Sequence, residues 1–447
     1  MNNIFKIKLK KIILLLKNKK ISNFELVEQC FLNLKKNNKF YLELYEKESF
    51  KYALKLDNSK KLSFSLPITL KDIYTIKNKF CSCNSNILKN ELFNYNSKIV
   101  KILKKNKINI IGKVILEEFC VGETGTNNCN LFNPYKKKYF IGGSSNGCSL
   151  SLNYNFNNIS IGSDTGGSIR TPASFCNLIG FKPSYGKISR EGMIPYSSYL
   201  DTCSIMSNYV EDCKIIFNLL NKNNFDLSSN NKKIFFNIKS KFISILYIEE
   251  IYNDYEIKNI FEKIIKNFEE MNFKIIFINL KNINLFLEFY EFISSKDFYS
   301  NTSKYDGIKF KKKKYYKNIN DLVKINRNFL NICKNKILIG ANYFFLNNNF
   351  NLNILYKKFS KFFELSNLIL LPTNIIKNLK IKNKFSNYFD YLTIISNLLK
   401  LPSINLSLGF INHLSLGFQL IGEYNYDEYL LNIANLYEKR YLNKYVL

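Results

Sequence analysis

The sequence predicts an α/β fold with a central mixed β-sheet covered by helices on both faces, in one large domain or two smaller ones. Three observations predict it. Short apolar runs of strand length alternate with longer helix-periodic stretches over most of the chain. Several of those runs stop at a breaker or a charged pair, as Leu368 to Leu371 does before Pro372-Thr373. And 447 residues, 46% of them hydrophobic, suffice for a large core. No internal repeat is found.

Residues 1–60 are expected to be helices. Ser22-Asn23-Phe24-Glu25 has capping-box spacing, a hydroxyl for an orphan N–H and a carboxylate three positions on to reach back. Leu26, Cys30 and Leu34 then recur at helical intervals. Leu66-Pro67-Ile68-Thr69-Leu70 is a short apolar strand with Lys71-Asp72 at its end. After a Lys-rich helix at about 97–107, Ile108 to Lys113 is a second strand. Phe175 to Phe181 and Lys187-Ile188-Ser189 continue the core, and a helix begins near Val210-Glu211-Asp212. Residues 220–240 are rich in Asn and Lys and are expected to form a surface linker. Strand-like runs follow at Phe242 to Ile248, Phe273 to Ile278, Leu368 to Thr373, Ile404 to Leu408 and Leu416 to Gly422. Helices are expected between them, at Ile394 to Lys400, and at Asp427 to Arg440.

The net charge of +31 invites a nucleic-acid reading. The basic residues are mostly Lys, however, and they are dispersed among Asn, Ile, Phe and Tyr with no Trp at all. All of these have A/T-rich codons, so the charge is read as a compositional bias and not as a dedicated RNA-binding face. The ten Cys are scattered without a disulfide framework, which fits a reducing, cytoplasmic compartment. Cys81-Ser82-Cys83 lacks the spacing and the His partners of a zinc site, so no metal is expected. No apolar run reaches the ~18 residues of a membrane helix. Ile12 to Leu16 is too short for a signal-peptide core and is read as a buried helix face.

The chemistry concentrates in one stretch. Of 17 Gly in the chain, six fall between Gly142 and Gly167. They flank Gly142-Gly143-Ser144-Ser145 and Gly166-Gly167-Ser168. Two tight turns would explain them, and so would two serine hydroxyls and a ring of backbone N–H groups converging on one carbonyl. A single His, His413, is read as sitting in a turn between two strands, far from either serine, so a Ser-His-Asp arrangement is not expected. A lysine can serve as base if its environment lets it give up a proton. Lys71 is singled out by its place at a strand end, where α/β sheets present functional groups.

These segments resemble the amidase signature family. Gly142 to Ser145, Gly162-Ser163-Asp164-Thr165-Gly166-Gly167-Ser168-Ile169-Arg170-Thr171-Pro172-Ala173 and Leu70-Lys71-Asp72 match its motifs in order and spacing, as does Gly417 to Gly422. Ser189 to Gly192, Ser197 to Asp201, Lys304-Tyr305-Asp306-Gly307 and Ile337 to Gly340 are most similar to a subgroup. That subgroup comprises the A subunits of the Glu-tRNA(Gln)/Asp-tRNA(Asn) amidotransferases. The resemblance implies the amidase signature fold as a single large domain (1–447), with residues 61–215 as its catalytic core and 241–447 as the remainder, including a glutamine pocket. It implies a Ser-cisSer-Lys triad of Ser168 (nucleophile), Ser144 (bridge) and Lys71 (base), with an oxyanion hole from backbone N–H groups of Thr165, Gly166, Gly167 and Ser168. It implies glutamine contacts from Asp390, Tyr290 and Lys336; family members carry Arg at the last position, and a glycine is common where Asn146 stands. The implied activity is glutamine hydrolysis, feeding ammonia to a partner that amidates Glu-tRNA(Gln) and/or Asp-tRNA(Asn). The implied partners are the B and C subunits of a heterotrimer, the tRNA being held mainly by the partner. No cofactor is implied for this chain, ATP and Mg²⁺ being used by the partner, and no membrane is involved. The alternative is a stand-alone amidase of the same family acting on another amide.

Overall fold

The computed structural model describes residues 4–35, 39–59, 64–125, 131–137, 139–222, 226, 228, 242–247, 255–279, 284–310, 316–345, 355, 363, 366–374, 391–411 and 414–442. Among them, α1 (Leu9–Lys17) turns Leu9, Ile12 and Leu16 inward, so the two ends of the Ile12 to Leu16 run form a buried helix face while Leu14 between them is exposed. In α2 (Asn23–Leu34) the capping box is present. Ser22 Oγ accepts from Glu25 N at 3.0 Å, and Glu25 Oε2 accepts from Ser22 N at 2.7 Å. Leu26, Cys30 and Leu34 are buried on its inner face. A strand that the helical reading of 1–60 lacks follows, β1 (Tyr41–Leu44), before α3 (Glu46–Asp57).

Next come β2 (Pro67–Lys71), the small ribbon of β3 (Lys79–Phe80) and β4 (Leu92–Phe93), α4 (Lys98–Lys105) and β5 (Asn109–Val114). α5 (Asn146–Asn153), β6 (Ile159–Asp164), α6 (Arg170–Phe175), β7 (Ile179–Lys182), β8 (Thr202–Ser207) and α7 (Val210–Asn221) complete this half. Most of 220–240 lies outside the described residues; Asp226 within it pairs with Arg190, Nε to Oδ2 3.1 Å. The second half runs β9 (Phe242–Tyr247), α8 (Tyr255–Glu270), β10 (Lys274–Asn279), α9 (Asn284–Thr302), α10 (Ile319–Asn326) and α11 (Asn331–Phe345). Then come β11 (Leu368–Pro372), α12 (Ile394–Leu398), β12 (Ser403–Ile411), β13 (Leu414–Gly422) and α13 (Asp427–Tyr441).

Eleven strands form one sheet in the order β1-β5-β2-β6-β8-β7-β12-β13-β11-β9-β10. β5, β2 and β6 are mutually parallel, as are β11, β9 and β10, and antiparallel strands join the two groups. The sheet is therefore mixed and helices cover both faces. β2 and β6 are buried at every position. Strands covered on both faces lose the alternation of a half-wet strand, which is why β2 reads as an unbroken apolar run. β1 is the opposite case, an edge strand half-exposed along its length, whose only ladder among the described residues is to β5. Among the described residues no helix is long and apolar enough to cross a membrane.

Candidate active site

The sheet itself assembles the site. β2 lies between β5 and β6, parallel to both, with Lys71 opposite Val114 and Leu70 opposite Ile161. Parallel neighbours end on the same side, so three carboxyl ends open on one crevice, where α/β sheets place their ligands. Lys71 is the last residue of β2, and the Thr165 to Ser168 loop leaves the end of β6. Ser144 and Ser145 arrive at the start of α5, which packs on β2, β5 and β6. The approach needs Gly142 at φ +85°, in the left-handed region, and the Gly143–Ser144 peptide bond is cis.

Lys71 Nζ lies 2.8 Å from Ser144 Oγ, 2.9 Å from Ser145 Oγ and 3.1 Å from Ser163 Oγ. Ser144 Oγ lies 3.2 Å from Ser168 Oγ. Lys71 and Ser144 are wholly buried, whereas Ser168 keeps 6% exposure, so the series runs from the interior outward to the crevice. Asp72, the acid adjacent in sequence, is taken by Lys113, Nζ to Oδ1 3.0 Å, and does not compensate Lys71. An ammonium would donate to all three hydroxyl oxygens; a neutral amine donates two protons and accepts one. Ser145 directs its own proton to the Ser163 carbonyl at 3.3 Å. Ser144 is the hydroxyl that touches both the amine and Ser168, so a proton can pass from Ser168 through Ser144 to Lys71 without any histidine.

The loop that carries Ser168 is fixed from below. Arg170 donates Nε to Asp164 Oδ2 at 3.0 Å and Nη2 to Asp164 Oδ1 at 2.9 Å. Its remaining donors reach the Thr393 carbonyl (2.9 Å), Gln419 Oε1 (2.8 Å) and Asn397 Oδ1 (2.6 Å). Burial alone would raise the Asp164 carboxyl, but the Arg170 guanidinium outweighs it and holds the group at about 2. Asp201 anchors the other side of the loop. Its Oδ1 accepts from Thr165 Oγ1 at 2.7 Å, and its Oδ2 accepts from Tyr196 N and Ser197 N at 2.8 and 3.1 Å. Here burial prevails over those hydrogen bonds and pushes the carboxyl up to about 6. Gly166 O takes the Thr393 hydroxyl and Gly167 O takes Thr171 N. Among the described residues, none accepts from the backbone N–H of Gly166, Gly167 or Ser168. Those donors remain available to an oxyanion beside Ser168.

The structure thus brings Lys71, Ser144 and Ser168 together, with Thr165, Gly166 and Gly167 beside them. Tyr290, on α9, places its hydroxyl against Gly166, so closely that a Cβ there would collide with it. Lys336, on α11, has its Nζ 5.8 Å from the centroid of the Tyr290 ring. It is already paired, 2.6 Å from Glu291 Oε2. Asp390 and His413 lie outside the described residues. Asn146, in place of a glycine, is buried and donates Nδ2 to the Gly125 carbonyl at 2.7 Å, tying the serine loop to its neighbour. Sequence reasoning missed Ser145 and Ser163 as direct contacts of the amine, and it missed Asp201 and Glu291. Ser145, Ser163 and Asp201 stand inside the quoted motifs, though their contacts are not written there; Glu291 becomes visible only when distant helices are placed. Among the described residues no group of three or more His, Cys, Asp or Glu is placed to hold a metal ion.

A mixed sheet whose parallel strand ends gather a buried lysine amine and serine hydroxyls in series is the architecture of amidases. The Amidase family model matches residues 25–431, and the chain belongs to that family. The relatives are more particular. The chain is 31% identical over 410 residues, 84% of both chains, to the Glutamyl-tRNA(Gln) amidotransferase A subunit of Ehrlichia canis (strain Jake). It is 30% identical over 461 residues, 95% of both, to the protein of the same name from Legionella pneumophila (strain Corby). In fold it is similar to the crystal structure of the Glutamyl-tRNA(Gln) amidotransferase A subunit from Thermotoga maritima, with TM-score 0.79 and 24% identity, covering 98% of this chain and 96% of that one. It is equally similar to the native peptide amidase of Stenotrophomonas maltophilia, with TM-score 0.79 and 16% identity, covering 96% of both.

Proposed function

We propose that this chain is the glutaminase component of a tRNA-dependent amidotransferase. The observation that carries the reading is the hydroxyl series from Ser168 through Ser144 to Lys71, set in a chain whose relatives of near-equal length are amidotransferase A subunits. Ser168 Oγ attacks the side-chain amide carbon of glutamine, giving its proton to Ser144 as Ser144 gives its own to neutral Lys71. The new oxyanion is held by the N–H groups of Thr165, Gly166, Gly167 and Ser168, one such donor being worth ~3 kcal/mol of barrier. The C–N bond breaks as Lys71 returns its proton through Ser144 to the leaving nitrogen. Ammonia departs and a glutamyl ester remains on Ser168. Water then attacks the ester, the same relay taking its proton, and glutamate leaves with Ser168 restored.

Tyr290 and Lys336 line the place of the glutamine side chain and α-carboxylate, and Asp390 is assigned the α-amino group. Ammonia passes to the B subunit, which uses ATP and Mg²⁺ to activate the carboxylate of Glu-tRNA(Gln) and/or Asp-tRNA(Asn), and the C subunit completes a cytoplasmic heterotrimer. The test is ammonia release from glutamine by the purified chain, alone and with its partners. We expect release that depends on the partners. Replacing Ser168 by Ala should abolish tRNA amidation driven by glutamine and preserve amidation driven by free ammonia. Hydrolysis of other amides with none of glutamine would overturn the reading in favour of a stand-alone amidase.

A further inference from the structure

We propose that Glu291 sets the substrate affinity of this site by occupying Lys336 until a substrate carboxylate displaces it. The inference rests on the glutaminase reading for the identity of the substrate. Its geometry stands separately. Glu291 Oε2 lies 2.6 Å from Lys336 Nζ, and its other oxygen, Oε1, accepts from Ser295 Oγ at 2.9 Å. The carboxylate is therefore held at both ends, by an ammonium on α11 and by a hydroxyl one turn along α9. Lys336 has 11% of its side chain exposed and Glu291 26%, so the lysine is largely buried while its carboxylate partner is partly open to solvent. Tyr290, next to Glu291 in the chain, bridges the distance to the reaction centre: its hydroxyl meets Gly166 and its ring lies 5.8 Å from Lys336 Nζ. Burial works against charge on Lys336, but Tyr196 and Glu291 outweigh it and raise the group above the ordinary lysine range.

The consequence follows from counting charge. A lone cation would attract the α-carboxylate of an amino acid; a cation already neutralised at hydrogen-bond distance attracts it far less. An ammonium has donors to spare, but a substrate carboxylate sharing Lys336 would stand against the like charge of Glu291. The substrate has to push Glu291 aside or bear that repulsion, and either course raises KM and leaves the chemistry at Ser168 unchanged. Glu291 acts here through Lys336 as a positioning residue. It is distinct from an acid that grips the substrate's ammonium, and the two roles predict opposite signs.

The experiment compares the assembled enzyme with its Glu291→Gln variant on two amides, glutamine and 4-aminobutyramide, which keeps the ammonium and the amide but has no carboxylate. We expect KM for glutamine to fall about threefold to tenfold, the range of a partly exposed ion pair. kcat should stay within about twofold, and KM for 4-aminobutyramide should not move. In a Lys336→Met background, with no cation left to free, the Glu291→Gln change should relieve only like-charge repulsion and lower the glutamine KM by less than it does beside Lys336. Calorimetry of glutamine binding to Ser168→Ala, with and without Glu291→Gln, supplies a reading independent of turnover and should show tighter binding in the double variant. A glutamine KM that is unchanged or higher, a dissociation constant that does not fall, or equal shifts for both amides would overturn the proposal. A parent enzyme that releases no ammonia from glutamine would overturn the glutaminase reading, and the calorimetry would still decide Glu291.

Discussion

Lys71 has three oxygen neighbours within 3.1 Å, and they are not equivalent. Of the three hydroxyls, that of Ser144 is the one that also meets the Ser168 hydroxyl, so substitutions should separate the relay from its surroundings. Ser168→Ala and Ser144→Ala are expected to lower kcat for ammonia release by about 10³-fold or more, since members of a relay fail as a unit. Ser145→Ala and Ser163→Ala should cost about tenfold, because each removes one contact that orients the amine. Lys71→Arg is the sharpest case: it keeps the charge and the donors but cannot give up a proton, and we expect it to be as inactive as Lys71→Ala. Steady-state kinetics on these positions check this order. The motif serines and Lys71 were legible because their residue types and spacing are visible in one dimension. Glu291 was not, since nothing local marks a glutamate as the partner of a lysine 45 positions away.

The loop from β6 into α6 owes its shape to what holds it. Asp164 and Arg170 are both fully buried and bond one another twice. Removing one partner of such a pair strands a charge, at a cost of roughly 3–5 kcal/mol. Asp164→Asn should therefore lower the thermal midpoint sharply and disable hydrolysis together. Gly166→Ala tests the same loop from above. Its Cβ would meet the Tyr290 hydroxyl and the ring carbons beside it, so we expect activity to fall at least tenfold, and Tyr290→Phe in the same chain, which keeps those ring carbons, to leave the loss in place. The capping box of α2 and the buried run of β2 were legible because their causes lie within a few residues. β1 was not: Tyr41-Leu42-Glu43-Leu44 has no strong apolar alternation, and only its ladder with β5 makes it a strand. β7 and β8 are likewise strands by virtue of their neighbours, each being buried in the middle of the sheet with small and polar residues among the apolar ones.

Stability as a function of pH should carry the mark of two buried groups outside the relay's own chemistry. Lys182 is fully buried, and burial together with the nearby charge of Arg170 pushes it down to about 7, against Asp164 and Asp427. A lysine lowered on folding contributes stability above its unfolded pKa and loses it as pH falls to the folded one, so the thermal midpoint should climb between about pH 7 and pH 10. Asp201, raised to about 6, works in the other direction, its contribution being present at about pH 4 and lost as pH rises through about 6. Lys182→Met should flatten the upper slope and leave the lower one, a result that thermal melts across this range would read directly. The fold class and the order of its strands and helices were legible from alternating periodicities. The pairing of the two parallel groups through β8, β7, β12 and β13 was not, because strand order is set by contacts between segments far apart in the chain.

The clamp on Arg170 also has a meaning in time. Its partners Thr393, Asn397 and Gln419 lie 223 to 249 positions downstream. A ribosome therefore releases Lys71, Ser144 and Ser168 long before the residues that lock their loop have been made. Contacts of such span form late, so a half-made chain carries all three reactive groups and no working arrangement of them. Fragments ending before Gln419 are expected to release no ammonia from glutamine even with the partners present, and to gain that ability only when the missing segment is supplied. A segment synthesised more than two hundred residues after Arg170 then acts as the safety catch on the first chemistry that the enzyme performs.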